Sequence, residues 1–144
     1  MFYKLPPKLQ IFTIAITLSI LIIIYGKYRC EIKFKDPLMN GKELCRICDW
    51  WSISHFVFNF SLAFAYPQYG FFIFTLGLLW ELFEFSVQKG YLKKIPILNK
   101  IDQLSRCKSD RENKRHWVYY EITDIPMNIA GILVGIYVRK TFFK

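Results

Sequence analysis

The chain is 144 residues long, 53% hydrophobic and 19% aromatic, and carries a formal charge of +9. That length has room for one domain. With no internal repeats and no aromatic-interleaved groove, the positive charge fits membrane topology and lipid contact, and nucleic acid is a poor partner.

Charge is segregated along the chain. From Leu9 to Gly26 there are 18 residues without a charge, enough to cross a bilayer of ordinary thickness. This run lacks a small-residue cleavage site and reads as a permanent anchor. Lys27 to Asp49 follows as a basic loop, with turn signals at Asp36-Pro37 and Asn40-Gly41. From Trp50 to Trp80 another 31 residues carry no charge, too many for one span. Tyr66-Pro67-Gln68-Tyr69-Gly70 supplies the break, which predicts a tight helical hairpin over Trp50–Tyr66 and Tyr69–Gln88. A second basic loop comes next. Within it Leu98, Ile101 and Leu104 recur every third residue, which reads either as a short interfacial helix or as part of a solvated basic loop, while Lys108 to Arg115 is wholly polar. A last apolar stretch runs from Ile125 to Val138.

The expected fold is therefore an all-α integral membrane protein, one domain over residues 1–144 forming a four-transmembrane-helix bundle. Its helices fall at about 9–26, 50–66, 69–88 and 120–139, with basic surface loops at 27–49 and 89–118. Fifteen Lys and Arg residues lie in those loops against 5 on the other side. This bias predicts that both loops face the cytoplasm and both termini the opposite side. All four cysteines, Cys30, Cys45, Cys48 and Cys107, fall on the basic side, where a cytoplasm would keep them reduced. Cys45 and Cys48 form a CxxC that with Cys30, Cys107 or His116 could hold zinc. The spacing is irregular and there is no second CxxC, so ordinary loop thiols are the expected state.

Four of the eleven carboxylates, Glu81, Glu84, Glu121 and Asp124, fall at bilayer depth with His55 and without a Lys or Arg. An ionised carboxylate there is costly unless paired, hydrated or bound to a cation. Helical spacing sorts the polar residues into stripes: His55 and Asn59; Glu81, Glu84 and Gln88; Glu121, Asp124, Asn128, Gly131 and Gly135. Each stripe should turn away from lipid, and together they predict one polar pocket just inside the cytoplasmic interface. The Gly131-xxx-Gly135 spacing should let a neighbouring helix approach closely.

Such a pocket can hold protons, bind a metal ion or receive a cationic group. A bound divalent ion would also let it accept a phosphate. His55, Glu84 and Asp124 are the expected catalytic residues, with His55 as acid–base group. Glu81, Asn128 and Asn59 are expected to bind substrate or cation, and Glu81, Glu84, Asp124 and His55 are the candidate ligands of a divalent metal cofactor. Plainer roles exist for several of them. Asp124, before Ile125-Pro126, reads equally as an N-cap, and His55 as a partner of a backbone carbonyl. Glu121 reads as interfacial and solvated, and Asn128 as a tie between helices.

At these residues the chain resembles the VanZ-like group of small polytopic membrane proteins. The matching pieces are Ser54-His55-Phe56, Trp80-Glu81-Leu82-Phe83-Glu84-Phe85, and Asp124 to Gly131, which fits that family's D-x-x-x-N-x-x-G pattern. The resemblance covers roughly residues 50–138, in short motifs. Pro126 and the long basic loop depart from the family pattern. The resemblance implies a helical membrane fold with these polar residues grouped, in a family associated in bacteria with the cell envelope and glycopeptide resistance.

Two functions follow as expectations. One is a membrane protein whose His/carboxylate site, at the cytoplasmic headgroup level, binds or acts on a lipid or isoprenoid headgroup. The alternative is a non-catalytic scaffold of an envelope, organelle or virion membrane, in which the polar layer only braces the bundle. Membrane lipids are the expected partners, with a homo-oligomer or a protein partner engaged through the basic loops.

Overall fold

The computed structural model of the chain describes residues 5–32, 50–94 and 121–143. These residues are all-helical and contain no strand: α1 is Pro7–Ile32, α2 Trp50–Ala65, α3 Gly70–Gln88 and α4 Asp124–Phe142. Short 3-10 turns occupy Pro67–Tyr69 and Tyr91–Lys94. The interfacial helix expected near Leu98–Leu104, the CxxC and most of both basic loops lie outside the described residues.

Element boundaries follow the local chemistry. α1 runs past the expected end at Gly26 to Ile32, because neither Gly nor Pro occurs between Lys27 and Asp36 to stop it. The hairpin break holds: Pro67 opens a 3-10 turn in which Tyr69 N–H donates to the Tyr66 carbonyl at 3.0 Å. α3 ends as expected at Gln88. Beyond it Gly90 takes φ 72°, a left-handed conformation that glycine adopts without a Cβ penalty, and its N–H donates to the Val87 carbonyl at 3.0 Å. α4 begins later than the expected 120. Pro126 would clash with the carbonyl four residues back inside a helix, so it is tolerated only in the first turn.

Two of the four helices are long and apolar enough to cross a membrane, over Pro7–Tyr28 and Pro67–Gln88, 22 residues each. α2 has 16 residues, about 24 Å of helix against a hydrocarbon core of about 30 Å. α4 carries Asp124, Arg139 and Lys140 in its 19 residues.

The chain divides into two compact units. The first comprises Met1–Ala15, Pro37–Leu79 and Glu121–Lys144, and the second Ile16–Asp36 and Trp80–Tyr120. In the first, Ile11, Leu62, Ala63, Ile73 and Ile132 form a buried core. Beside it the Tyr66 hydroxyl donates to Gln10 Oε1 at 2.6 Å, while Gln10 Nε2 donates to the Leu5 carbonyl at 2.7 Å. In the second unit Val87 is fully buried, packed by Ile22, Ile23, Phe83 and Leu92.

Candidate functional site

The first unit's polar centre exists because two helix backbones come close. On α4, Gly131 and Gly135 form the stripe that meets α2. A Cβ at Gly131 would lie 2.4 Å from the Phe56 carbonyl oxygen, and one at Gly135 2.5 Å from that of Phe60. Only glycine permits this separation, as the G-xxx-G spacing predicts. The same stripe continues toward the start of α4 through Asn128 and Asp124, so both are delivered against α2. Asn128 is 2% exposed and Asp124 4%.

Opposite them α2 presents Ser52, His55 and Asn59. Ser52 Oγ donates to Asp124 Oδ1 at 2.6 Å and lies 3.4 Å from Thr123 Oγ1. His55 Nδ1 is 3.1 Å from Asn128 Oδ1, and its Nε2 faces Asp124 Oδ2 at 4.0 Å. Asn59 Nδ2 donates both to Asn128 Oδ1, at 2.6 Å, and to the His55 carbonyl, at 2.9 Å. The result is a continuous polar chain from Ser52 through Asp124, His55 and Asn128 to Asn59. Gly77 of α3 closes over its amide end: a Cβ there would meet Asn128 Nδ2 at 3.4 Å and Asn59 Oδ1 at 3.8 Å.

His55, Asn59, Asp124 and Asn128 are thus brought together within one unit, as their stripes predict. Glu81 and Glu84 belong to the second unit, and both are buried. Glu121 is half-buried in the turn before α4, where its carbonyl accepts the Asp124 N–H at 3.1 Å. One plainer reading needs correcting. Thr123 is the N-cap of α4 and Asp124 the first residue inside it, with its carboxylate turned to Ser52. His55 Nδ1 meets a side-chain amide oxygen, that of Asn128. Asn128 does tie two helices, through both His55 and Asn59.

The sequence reading missed Ser52, Thr123 and Gly77. Ser52 lies three residues before His55, so carrying the His55–Asn59 stripe one turn further would have found it. Gly77 is the one small residue among Phe74, Leu76, Leu78 and Leu79. Thr123 left no comparable signal.

Chemically, the centre offers an imidazole nitrogen and a carboxylate oxygen facing each other under cover of α2 and α4. The donors within this unit, the His55 imidazole and the Asp124 carboxylate, are of the kinds that ligate metal ions. No family model matches this chain, and no curated protein or solved structure matches it either.

Proposed function

We propose that this chain is an integral membrane protein whose four helices cross the bilayer. In this reading the His55–Asp124 centre binds a cation and, through it, a phosphate-bearing lipid or isoprenoid headgroup. The observation that carries it is the facing of His55 Nε2 and Asp124 Oδ2 at 4.0 Å within a buried polar chain. A carboxylate buried this deeply is costly without a cationic or proton-bearing neighbour. A cation bound between the two would add to the Ser52 hydrogen bond in stabilising the carboxylate, and it leaves room in its coordination sphere for phosphate oxygens.

Membrane insertion is supported by the two helices of spanning length and by large apolar side chains exposed along the others. Val57 on α2 and Leu133, Val134 and Tyr137 on α4 all face outward. The excess of Lys and Arg in the two connecting segments favours a cytoplasmic position for both, with the termini opposite. The resemblance of His55, the Glu81–Glu84 stretch and Asp124–Gly131 to VanZ-like proteins is part of the same proposal.

The test is binding of an isoprenoid diphosphate to the chain in nanodiscs, with Mn²⁺ present and absent. Cation-dependent binding that His55→Ala and Asp124→Asn remove is expected. Equal binding of the uncharged isoprenol would overturn the headgroup reading.

The second reading is a membrane scaffold, favoured by the backbone contact of Gly131 and Gly135 with α2. There Ser52, Asp124, His55, Asn128 and Asn59 would serve only to hold α2 to α4. Indifference of the protein to every cation and headgroup, with loss of assembly on disrupting the helix contact, is the outcome that favours it.

A further inference from the structure

The hydrogen bonds around Asn59 determine where the proton of the His55 ring must sit. A backbone carbonyl can only accept, so the bond to the His55 carbonyl fixes the amide nitrogen of Asn59 on that side. The same nitrogen also donates to Asn128, so the Asn128 atom facing it must be the oxygen. That oxygen lies 3.1 Å from His55 Nδ1, and an amide oxygen cannot donate. Nδ1 therefore carries a hydrogen. In the neutral ring the lone pair then belongs to Nε2, which looks toward Asp124 Oδ2. The other oxygen of that carboxylate accepts from Ser52, which fixes its orientation.

We propose that His55 Nε2 and Asp124 Oδ2 are two ligands of a first-row transition-metal dication, Mn²⁺ or Zn²⁺, and that the Asn59–Asn128 amide pair locks the ring in the metal-binding tautomer. This deepens the cation-site reading by naming the ion class and two residues that position its ligand. An imidazole nitrogen selects such ions over Mg²⁺ and Ca²⁺, which prefer oxygen alone. Ligands on one ion with bonds of about 2.1 Å stand roughly 3.0–3.4 Å apart at octahedral or tetrahedral angles. Loading would draw the two atoms together by about 0.6–1.0 Å from their 4.0 Å separation, within reach of side-chain rotation. Donation of the remote ring nitrogen to an oxygen is the usual support for a metal-bound histidine. Losing such a support costs about 10- to 100-fold in affinity. Asn59 and Asn128 are positioning residues in this sense, since they act on the ion through His55.

The experiment uses the full chain with its four cysteines changed to serine, which removes thiolate sites, purified in detergent and stripped with chelator. Mn²⁺ binding is followed by electron paramagnetic resonance. Circular dichroism confirms that each variant keeps its helicity, and 15N NMR of labelled imidazole reads the ring tautomer before metal is added. The expected result is one Mn²⁺ per chain, lost in His55→Ala and in the isosteric Asp124→Asn. Affinity should fall about 10- to 100-fold in Asn59→Leu and Asn128→Leu, and survive in Asn128→Asp, which keeps an acceptor for Nδ1–H. The spectrum should show the proton on Nδ1 in the parent protein, and Asn59→Leu should lose that preference. No stoichiometric binding, or binding that survives both His55→Ala and Asp124→Asn, overturns the metal site. Binding that ignores Asn59 and Asn128 overturns the tautomer lock. Metal bound normally with no response to isoprenoid diphosphate overturns the headgroup reading alone, so the two failures are told apart.

Discussion

Gly131 of α4 lies so close to Phe56 of α2 that the Phe56 carbonyl oxygen occupies the space a side chain would need. The distance to an added Cβ is 2.4 Å, and the obstructing atom is backbone. Gly131→Ala must therefore push the helices apart, and overpacking of this kind costs about 1–3 kcal/mol. Gly70→Ala is the control. Its Cβ would meet Ile136 Cδ1 at 2.8 Å, the mobile end of a side chain that can turn away. Thermal unfolding in detergent should show a much larger drop in midpoint for Gly131→Ala. Equal drops would mean that the α2–α4 contact is softer than the geometry requires.

Ser52 Oγ donates to the Asp124 carboxylate at 2.6 Å, while Thr123 Oγ1 lies 3.4 Å from Ser52 Oγ. A hydrogen bond to a buried charged group contributes about 1.5–3 kcal/mol. Ser52→Ala should lower stability by that order, and Thr123→Val by much less. Denaturant titration of the two variants checks the ranking. A Ser52→Ala protein as stable as its parent would show that Asp124 does not depend on this donor.

Much of this centre was legible in the sequence because helical spacing is rigid. His55 and Asn59 share a face on α2, as do Asp124, Asn128, Gly131 and Gly135 on α4, and the glycines say which face can meet a neighbour. What spacing cannot give is the pairing of individual atoms. That Asn128 accepts from both His55 and Asn59, or that Asp124 turns to Ser52 and leaves the cap to Thr123, depends on rotation of one helix about another. The hairpin break was legible because Pro67 marks it. The end of α1 was not, because a change from apolar to basic residues alters solvation without breaking a helix.

The proposed four crossings predict that both connecting segments are accessible from one face of the membrane and both termini from the other. Single cysteines at Lys35 and Ser109, in a background freed of native cysteines, should react with an impermeant maleimide from the cytoplasmic side only. Cysteines at Lys4 and Lys144 should react only from the opposite side. Reaction of Lys35 and Ser109 from opposite faces would leave an odd number of crossings between them and remove the four-span topology.

Asp124→Asn separates the functional reading from the scaffold reading at the residue where they differ most. The amide keeps the shape of the carboxylate, and its Oδ1 can still accept from Ser52, so a brace between α2 and α4 would be nearly intact. What it loses is the negative charge that a cation needs. A ligand that binds only the folded state stabilises it by about 2.7 kcal/mol at a hundred times its dissociation constant. Saturating Mn²⁺ should therefore raise the unfolding midpoint of the parent protein and leave that of Asp124→Asn where it was, the two differing little without metal. Were the centre only a brace, both proteins would unfold together at every ion concentration. That coincidence, measured in the same detergent with helicity matched, would end the cation-site reading.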